Sequence, residues 1–237
     1  MTFTNKIVLV AGGTGGLGRA VSLAFLDAGA KVIVTFRNQS ELDGLRAKAG
    51  AKAGSVQAES VDVTGESAVR QFVDKVCKEH GRIDVLVNTV GGYAGGVNLW
   101  EIETKVLDQM FALNVRSGYA LARAVIPVML KQESGVFVDV ASKAAVDHAA
   151  GAAAYAASKA AAVAMMDSLA AELKGSGVRV NSILPSIIDT EQNRKAMPNA
   201  DFSKWPKPEA IARVILFLCS DDAKLINGAS IPVYGES

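Results

Sequence analysis

The chain has 237 residues, half of them apolar and 21% charged, which excludes a disordered polypeptide and suits one large α/β domain. Lys plus Arg number 25 against 24 Asp plus Glu, and the net charge of +1 gives no support to a nucleic-acid or acidic-membrane partner. Glycine is frequent, at 22 residues, and proline sparse, at 6, which leaves out collagen-like chains and proline-rich linkers.

Short Val- and Ile-rich runs alternate with helical stretches. Residues 7–11 predict a first strand. Residues 17–27 predict a helix, with apolar side chains at 17, 20, 21, 24 and 25 and Gly29 placed to cap its end. A second strand is expected at 32–36, a more polar helix at 40–52, a third strand at 56–61 and a helix at 66–79. Residues 83–87 predict the fourth strand and the Gly-rich 91–98 a loop. A long helix is expected at 101–131, broken or bent near 114–118. Then come a strand at 136–140, an Ala-rich helix at 152–174, a strand at 178–184, a helix at 208–219 and a last strand at 229–234.

The strands are nearly continuous apolar runs, so both sheet faces must be covered by helices. About seven such strands, alternating with helices, predict a single α/β domain over 1–237: a doubly wound parallel sheet of Rossmann type. Cys77 and Cys219 lack the spacing of a zinc site or disulfide framework and read as buried free thiols. No signal-peptide pattern opens the chain, and no window holds 18 uninterrupted apolar residues. A cytoplasmic location without membrane contact is therefore the expectation.

The first turn reads Gly12-Gly13-Thr14-Gly15-Gly16-Leu17-Gly18, directly after a strand and opening a helix. That context fits a pyrophosphate, because glycines admit the ligand backbone and the helix N-terminus offers free N–H donors. No Lys-Ser/Thr pair follows, so it is not a nucleoside-triphosphate loop of Walker type. The second strand ends without the acidic residue that would hold the ribose of NAD, and Arg37 stands there instead. Arg37 fits either a solvated turn or a 2′-phosphate, which favours NADP with NAD as the alternative. Asp62 and Val63 follow the third strand, where the adenine end of a cofactor would lie, although Asp62 equally fits a helix cap. Asn88 and Gly91, after the fourth strand, leave room for the cofactor backbone.

Tyr155 and Lys159 lie one helical turn apart in an alanine run. They fit an ordinary surface pair, or an acid/base in which the ammonium stabilises a phenolate. Ser142, after the fifth strand, fits a substrate-oxygen ligand or a cap. Asn114 is a mid-helix residue that propensity disfavours. Ser142 has no Gly-x-Ser-x-Gly elbow, which argues against a hydrolase, and neither His80 nor His148 has a metal-like cluster around it.

Over essentially its whole length the chain resembles the short-chain dehydrogenase/reductase family. The family's Thr-Gly-x-x-x-Gly-x-Gly corresponds to Ala11, Gly12, Gly16 and Gly18. Its Asn-Asn-Ala-Gly appears as Asn88-Thr89-Val90-Gly91, with two positions altered, and its Tyr-x-x-x-Lys is intact. Asn181 and Pro185 match a further motif in which Ser186 replaces Gly. The resemblance implies a catalytic set of Asn114, Ser142, Tyr155 and Lys159, with Tyr155 as acid/base, and a nicotinamide contact at Thr190. It also implies hydride transfer between NADP(H) and a small-molecule carbonyl or alcohol, and a homotetramer or dimer built on the two long helices.

A substrate loop is expected over about 186–206, with Tyr93, Val146, His148, Ile187, Ile188, Met197 and Phe202 as lining candidates; Ile188 also stands beside the expected cofactor. Trp205 reads as a core anchor. Residues 193–205 locally resemble dihydropteridine reductases, although Arg37 and Ser142 depart from their pattern. A pteridine reductase and a nucleotide-sensing regulator with little turnover are the alternatives.

Overall fold

The computed structural model describes residues 1–236. Seven strands form one parallel sheet: β1 (Ile7–Ala11), β2 (Lys31–Phe36), β3 (Val56–Ser60), β4 (Val85–Asn88), β5 (Gly135–Val140), β6 (Val178–Pro185) and β7 (Ser230–Val233). Their spatial order is β3-β2-β1-β4-β5-β6-β7. The eight helices are α1 (Gly16–Asp27), α2 (Gln39–Ala49), α3 (Glu66–His80), α4 (Thr104–Phe111), α5 (Ser117–Gln132), α6 (Ala153–Glu172), α7 (Glu191–Ala196) and α8 (Pro208–Cys219).

Alternate strand residues face opposite helical layers. Val8, Val10, Val32, Val34 and Val138 pack with α1, α2 and α8. Leu9, Ile33, Leu86, Phe137 and Val180 pack with α3, α5 and α6. The chain winds from β1 outward to β3, then crosses back to β4 and continues to β7. That reversal between β1 and β4 parts the loops at the carboxyl ends of the strands, where a doubly wound sheet binds its ligand.

Several boundaries differ from the pattern, each for a local reason. Residues 50–55 are a separate 3-10 turn, because Gly50 leaves the helical region at φ +54°. Ile83 is buried but outside the β-ladder: the Gln132 side-chain amide takes both its N–H (2.9 Å) and its carbonyl (2.8 Å). The expected bend in the long helix is a π-turn over Ala112–Arg116, with Asn114 at its centre. Within 186–206 the short helix α7 forms beyond anything the apolar pattern indicated, capped by the Thr190 side chain on Asn193 N–H. Cys219 is buried as expected, whereas Cys77 is only half-buried.

Candidate active site

The glycine turn is built by backbone constraints at its two ends. Gly12 sits at φ +72°, and its N–H donates to the Thr35 hydroxyl at 2.9 Å. A side chain at Gly18 would strike the Gly12 carbonyl oxygen, so the helix can approach the strand this closely only with glycine there. Gly18 therefore serves packing and is not on the cleft wall. Gly15 caps α1 without any side-chain acceptor, which leaves the first helical N–H groups to an incoming anion.

Two hollows meet at this turn. A cleft of about 780 Å³ runs from Thr14, Gly16 and Leu17 past Gly91 to Tyr155, Lys159, Ile188 and Thr190. A second, of about 460 Å³, is walled by Gly12, Gly15, Arg37, Asp62 and Val63. Thr14, Gly16, Thr89 and Gly91 border both. The trough therefore extends along the carboxyl edge from the end of β2 to Tyr155. Its floor is tight at two glycines: a Cβ on Gly16 would lie 2.8 Å from Thr190 Cγ2, and one on Gly91 would lie 3.1 Å from Lys159 Nζ. The shape, the bare helix terminus and Arg37 at the far end fit a dinucleotide.

Three residues expected at the cofactor are not on the wall of either hollow. Asn88 is buried, with its Nδ2 donating to Asp139 Oδ1 at 2.8 Å and its Oδ1 accepting from Val90 N–H at 3.2 Å. Pro185 ends β6 opposite Val233 and lines neither hollow. Gly18 is the third. The Asp62 carboxylate accepts from Thr64 N–H (3.0 Å) and its hydroxyl (2.8 Å), so it holds a turn while bordering the second hollow. Those bonds, with Arg37 nearby, hold its carboxyl below the ordinary range.

Two contributors had no advance signal. Thr89 stands where the family motif has Asn, and its hydroxyl donates to Ala11 O at 2.7 Å, tying β4 to the turn. Glu41 accepts from Thr14 Oγ1 at 3.1 Å, from a polar helix that carried no motif.

Around Tyr155 the four expected polar residues converge. Asn114 Oδ1 accepts from Gly92 N–H at 2.9 Å, and its Nδ2 donates to Gly92 O and to Ser158 Oγ. Ser158 Oγ in turn donates to Tyr155 O at 2.7 Å. The π-turn is what lets an asparagine leave its helix and hold the loop after β4. Ser142 caps the short turn after β5, accepting from Ala144 N–H at 3.2 Å. Burial pushes the Tyr155 phenol up; the Ser142 hydroxyl opposes that, and Tyr93 adds to it. The Lys159 Nζ donates to Val140 O at 2.9 Å, which anchors the lysine to the carboxyl end of β5.

Above the phenol lies Tyr93, edge-on at 5.0 Å between ring centres. Of the other lining candidates, Ile188 is on the cleft wall. Val146 and Ile187 are exposed. Phe202 stacks between Arg194 (4.8 Å) and Trp205 (4.9 Å), and Trp205 is a buried anchor as expected. Among the described residues no group of three His, Cys, Asp or Glu could hold a metal ion, and no helix is long and apolar enough to cross a membrane.

Comparison with known proteins agrees with this geometry. The family model for short chain dehydrogenase matches residues 6–201. A 3-oxoacyl-[acyl-carrier-protein] reductase of Thermotoga maritima is 32% identical, over 99% of this chain and 98% of that protein. A D-threitol dehydrogenase of Mycolicibacterium smegmatis is 34% identical, over 97% and 92%. A short-chain type dehydrogenase/reductase from Mycobacterium ulcerans superposes with a TM-score of 0.93 at 29% identity, covering 100% of this chain and 90% of the other. ElxO with NADP bound superposes at 0.91 and 26% identity, over 97% of each chain. An NAD+-bound xylitol dehydrogenase does so at 0.91 and 25%, over 99% and 100%.

Proposed function

The chain belongs to the short-chain dehydrogenase family and is an oxidoreductase that transfers hydride between a nicotinamide nucleotide and a carbonyl or alcohol; from that premise we propose Tyr155 as its general acid/base and NADP(H) as its preferred cofactor. The observation that carries the assignment is the position of the Tyr155 phenol, on the wall at one end of a trough whose middle is the glycine turn.

The nucleotide would be held by Thr14, Gly15, Gly16 and Leu17 at the turn, by Arg37 and Val63 at one end, and by Gly91, Lys159, Ile188 and Thr190 at the other. When bound, its nicotinamide supplies hydride to a carbonyl carbon or takes it from an alcohol. Ser142 orients the substrate oxygen beside Tyr155. The phenol, kept protonated at neutral pH by burial, donates its proton to that oxygen as negative charge develops. In the opposite direction Tyr155 accepts the alcohol proton. Asn114 holds the loop after β4 in place, and Lys159 braces the floor of the trough through Val140.

Arg37 supports NADP, because a guanidinium forms charge-assisted bonds to a 2′-phosphate and no carboxylate ends β2 to receive a 2′-hydroxyl. The exposed ring of Tyr93 packs edge-on against the phenol, and an apolar group there favours an uncharged small or medium ketone or secondary alcohol. The test is Tyr155→Phe, assayed with NADPH over a ketone panel that includes quinonoid dihydropterin. Turnover is lost while nucleotide binding, followed by fluorescence, survives; activity within a few-fold of the parent protein overturns the acid/base role.

A further inference from the structure

A buried polar row crosses the sheet beneath Tyr155. Asn88, Asp139 and Ser182 lie side by side in register on β4, β5 and β6. Their side chains face the α5–α6 layer, whose neighbouring strand positions are Leu86, Phe137 and Val180. All three are at most 2% exposed. An ionisable carboxyl in such a layer is costly unless something uses it.

Asp139 is held from one side only. Asn88 Nδ2 donates to its Oδ1 at 2.8 Å, and Asn88 is itself locked by Val90 N–H. On the other side Ser182 Oγ is buried with no hydrogen-bond partner. The next residue along β5, Val140, presents the carbonyl that accepts from Lys159 Nζ at 2.9 Å. A carbonyl solvates an ammonium but carries no countercharge.

We propose that Asp139 is the positioning residue for Lys159: a buried countercharge that keeps the ammonium protonated and seated on Val140 at the floor of the trough. Burial holds the Lys159 ammonium below its ordinary range, and Asp139 is the charge that opposes this. The relation is mutual: burial holds the Asp139 carboxyl above its ordinary range, and Lys159 and the Asn88 bond oppose it. The titratable groups around the floor are Lys159 and Tyr155 from α6, Asp139 from β5 and Tyr93 from the loop after β4. Asn88, Asn114, Ser142, Ser158 and Ser182 complete it with neutral groups.

The inference rests on the assignment of Lys159 to the cofactor end of the trough, but its test needs no turnover. Lysines labelled with carbon-13 at Cε are titrated by NMR in the full chain, and the Lys159 signal is identified by its loss in Lys159→Arg. Asp139→Asn keeps the acceptor for Asn88 and removes the charge. The Lys159 midpoint then falls by about one pH unit, a tenfold gain in acidity, while the other lysines do not move. An unchanged midpoint in a folded Asp139→Asn chain overturns the proposal. Asp139→Ser, smaller and neutral, is the second variant: a shifted midpoint in it supports the proposal even if the Asn chain does not fold. Failure of both to fold assigns the carboxyl to the sheet framework and overturns it as well. If Tyr155→Phe stays active while Lys159 shifts as stated, the acid/base assignment fails and the countercharge stands.

Discussion

The ionisation of Tyr155 is governed by a contest between burial and the Ser142 hydroxyl. Burial and Tyr93 raise its phenol, and Ser142 opposes them. An acid whose ionisation is pushed up stays protonated further into the alkaline range, so the two directions of reaction should diverge with pH. Ketone reduction, which needs the phenol, holds steady through neutral pH and falls in the alkaline range. Alcohol oxidation, which needs the phenolate, rises over the same range. Paired pH–rate profiles check this, and oxidation that peaks below neutral pH would contradict it. Arg37 is the residue proposed to select the nucleotide. Arg37→Ala removes a charge-assisted contact, so NADPH binding should weaken about tenfold or more with NADH little changed, measured by paired fluorescence titration. Equal loss for both nucleotides would make Arg37 structural. Tyr155, Ser142 and Arg37 could be singled out in the sequence as candidates because each stands at a strand end or in a helical repeat. The partner of Lys159 could not, because Val140 O belongs to a strand 19 residues away.

At the level of elements, the β1–α1 turn is fixed by close backbone approach. A methyl group at Gly18 would collide with the Gly12 carbonyl, and neither backbone can yield without moving the sheet. Gly18→Ala should cost about 1–3 kcal/mol, read as a lower thermal midpoint, and should weaken nucleotide binding at the same time. Gly54→Ala is the control: nothing lies within 4 Å of its would-be Cβ, so its effect should stay within about 0.5 kcal/mol. The π-turn shows the limit of pattern reading. A mid-helix asparagine signalled distortion, but the kind of distortion follows from Gly92, whose N–H and carbonyl both bind Asn114. Likewise α7 depends on a Thr190 cap and on Arg194 bonding Asp189 at 2.9 Å, in a stretch with no apolar period.

Across the whole molecule, an apolar stripe remains uncovered. Leu107 and Phe111 stand one turn apart on α4 and Tyr119 lies on α5 beyond the π-turn, with exposures of 38%, 37% and 39%. Exposed small side chains, Ala157, Ala164 and Ser168, mark the outer face of α6, and a dimer or tetramer built on these helices is the assembly we propose. Leu107→Glu with Phe111→Glu should shift the species seen by light scattering to a smaller one. A parent chain that already runs as a monomer overturns this reading.

Alternation of continuous apolar strands with helices determined the doubly wound sheet, since only helices on both faces can bury such strands. Local spacing likewise determined the glycine turn and the Tyr155–Lys159 repeat, because both lie within one or two helical turns. The strand order decided the rest. It placed Arg37, after β2, and Tyr155, on α6, at opposite ends of one trough. It turned Asn88 inward onto Asp139, left Pro185 out of both hollows and seated Lys159 on Val140. Those are pairings between distant segments, set by register across the sheet, which local periodicity does not encode.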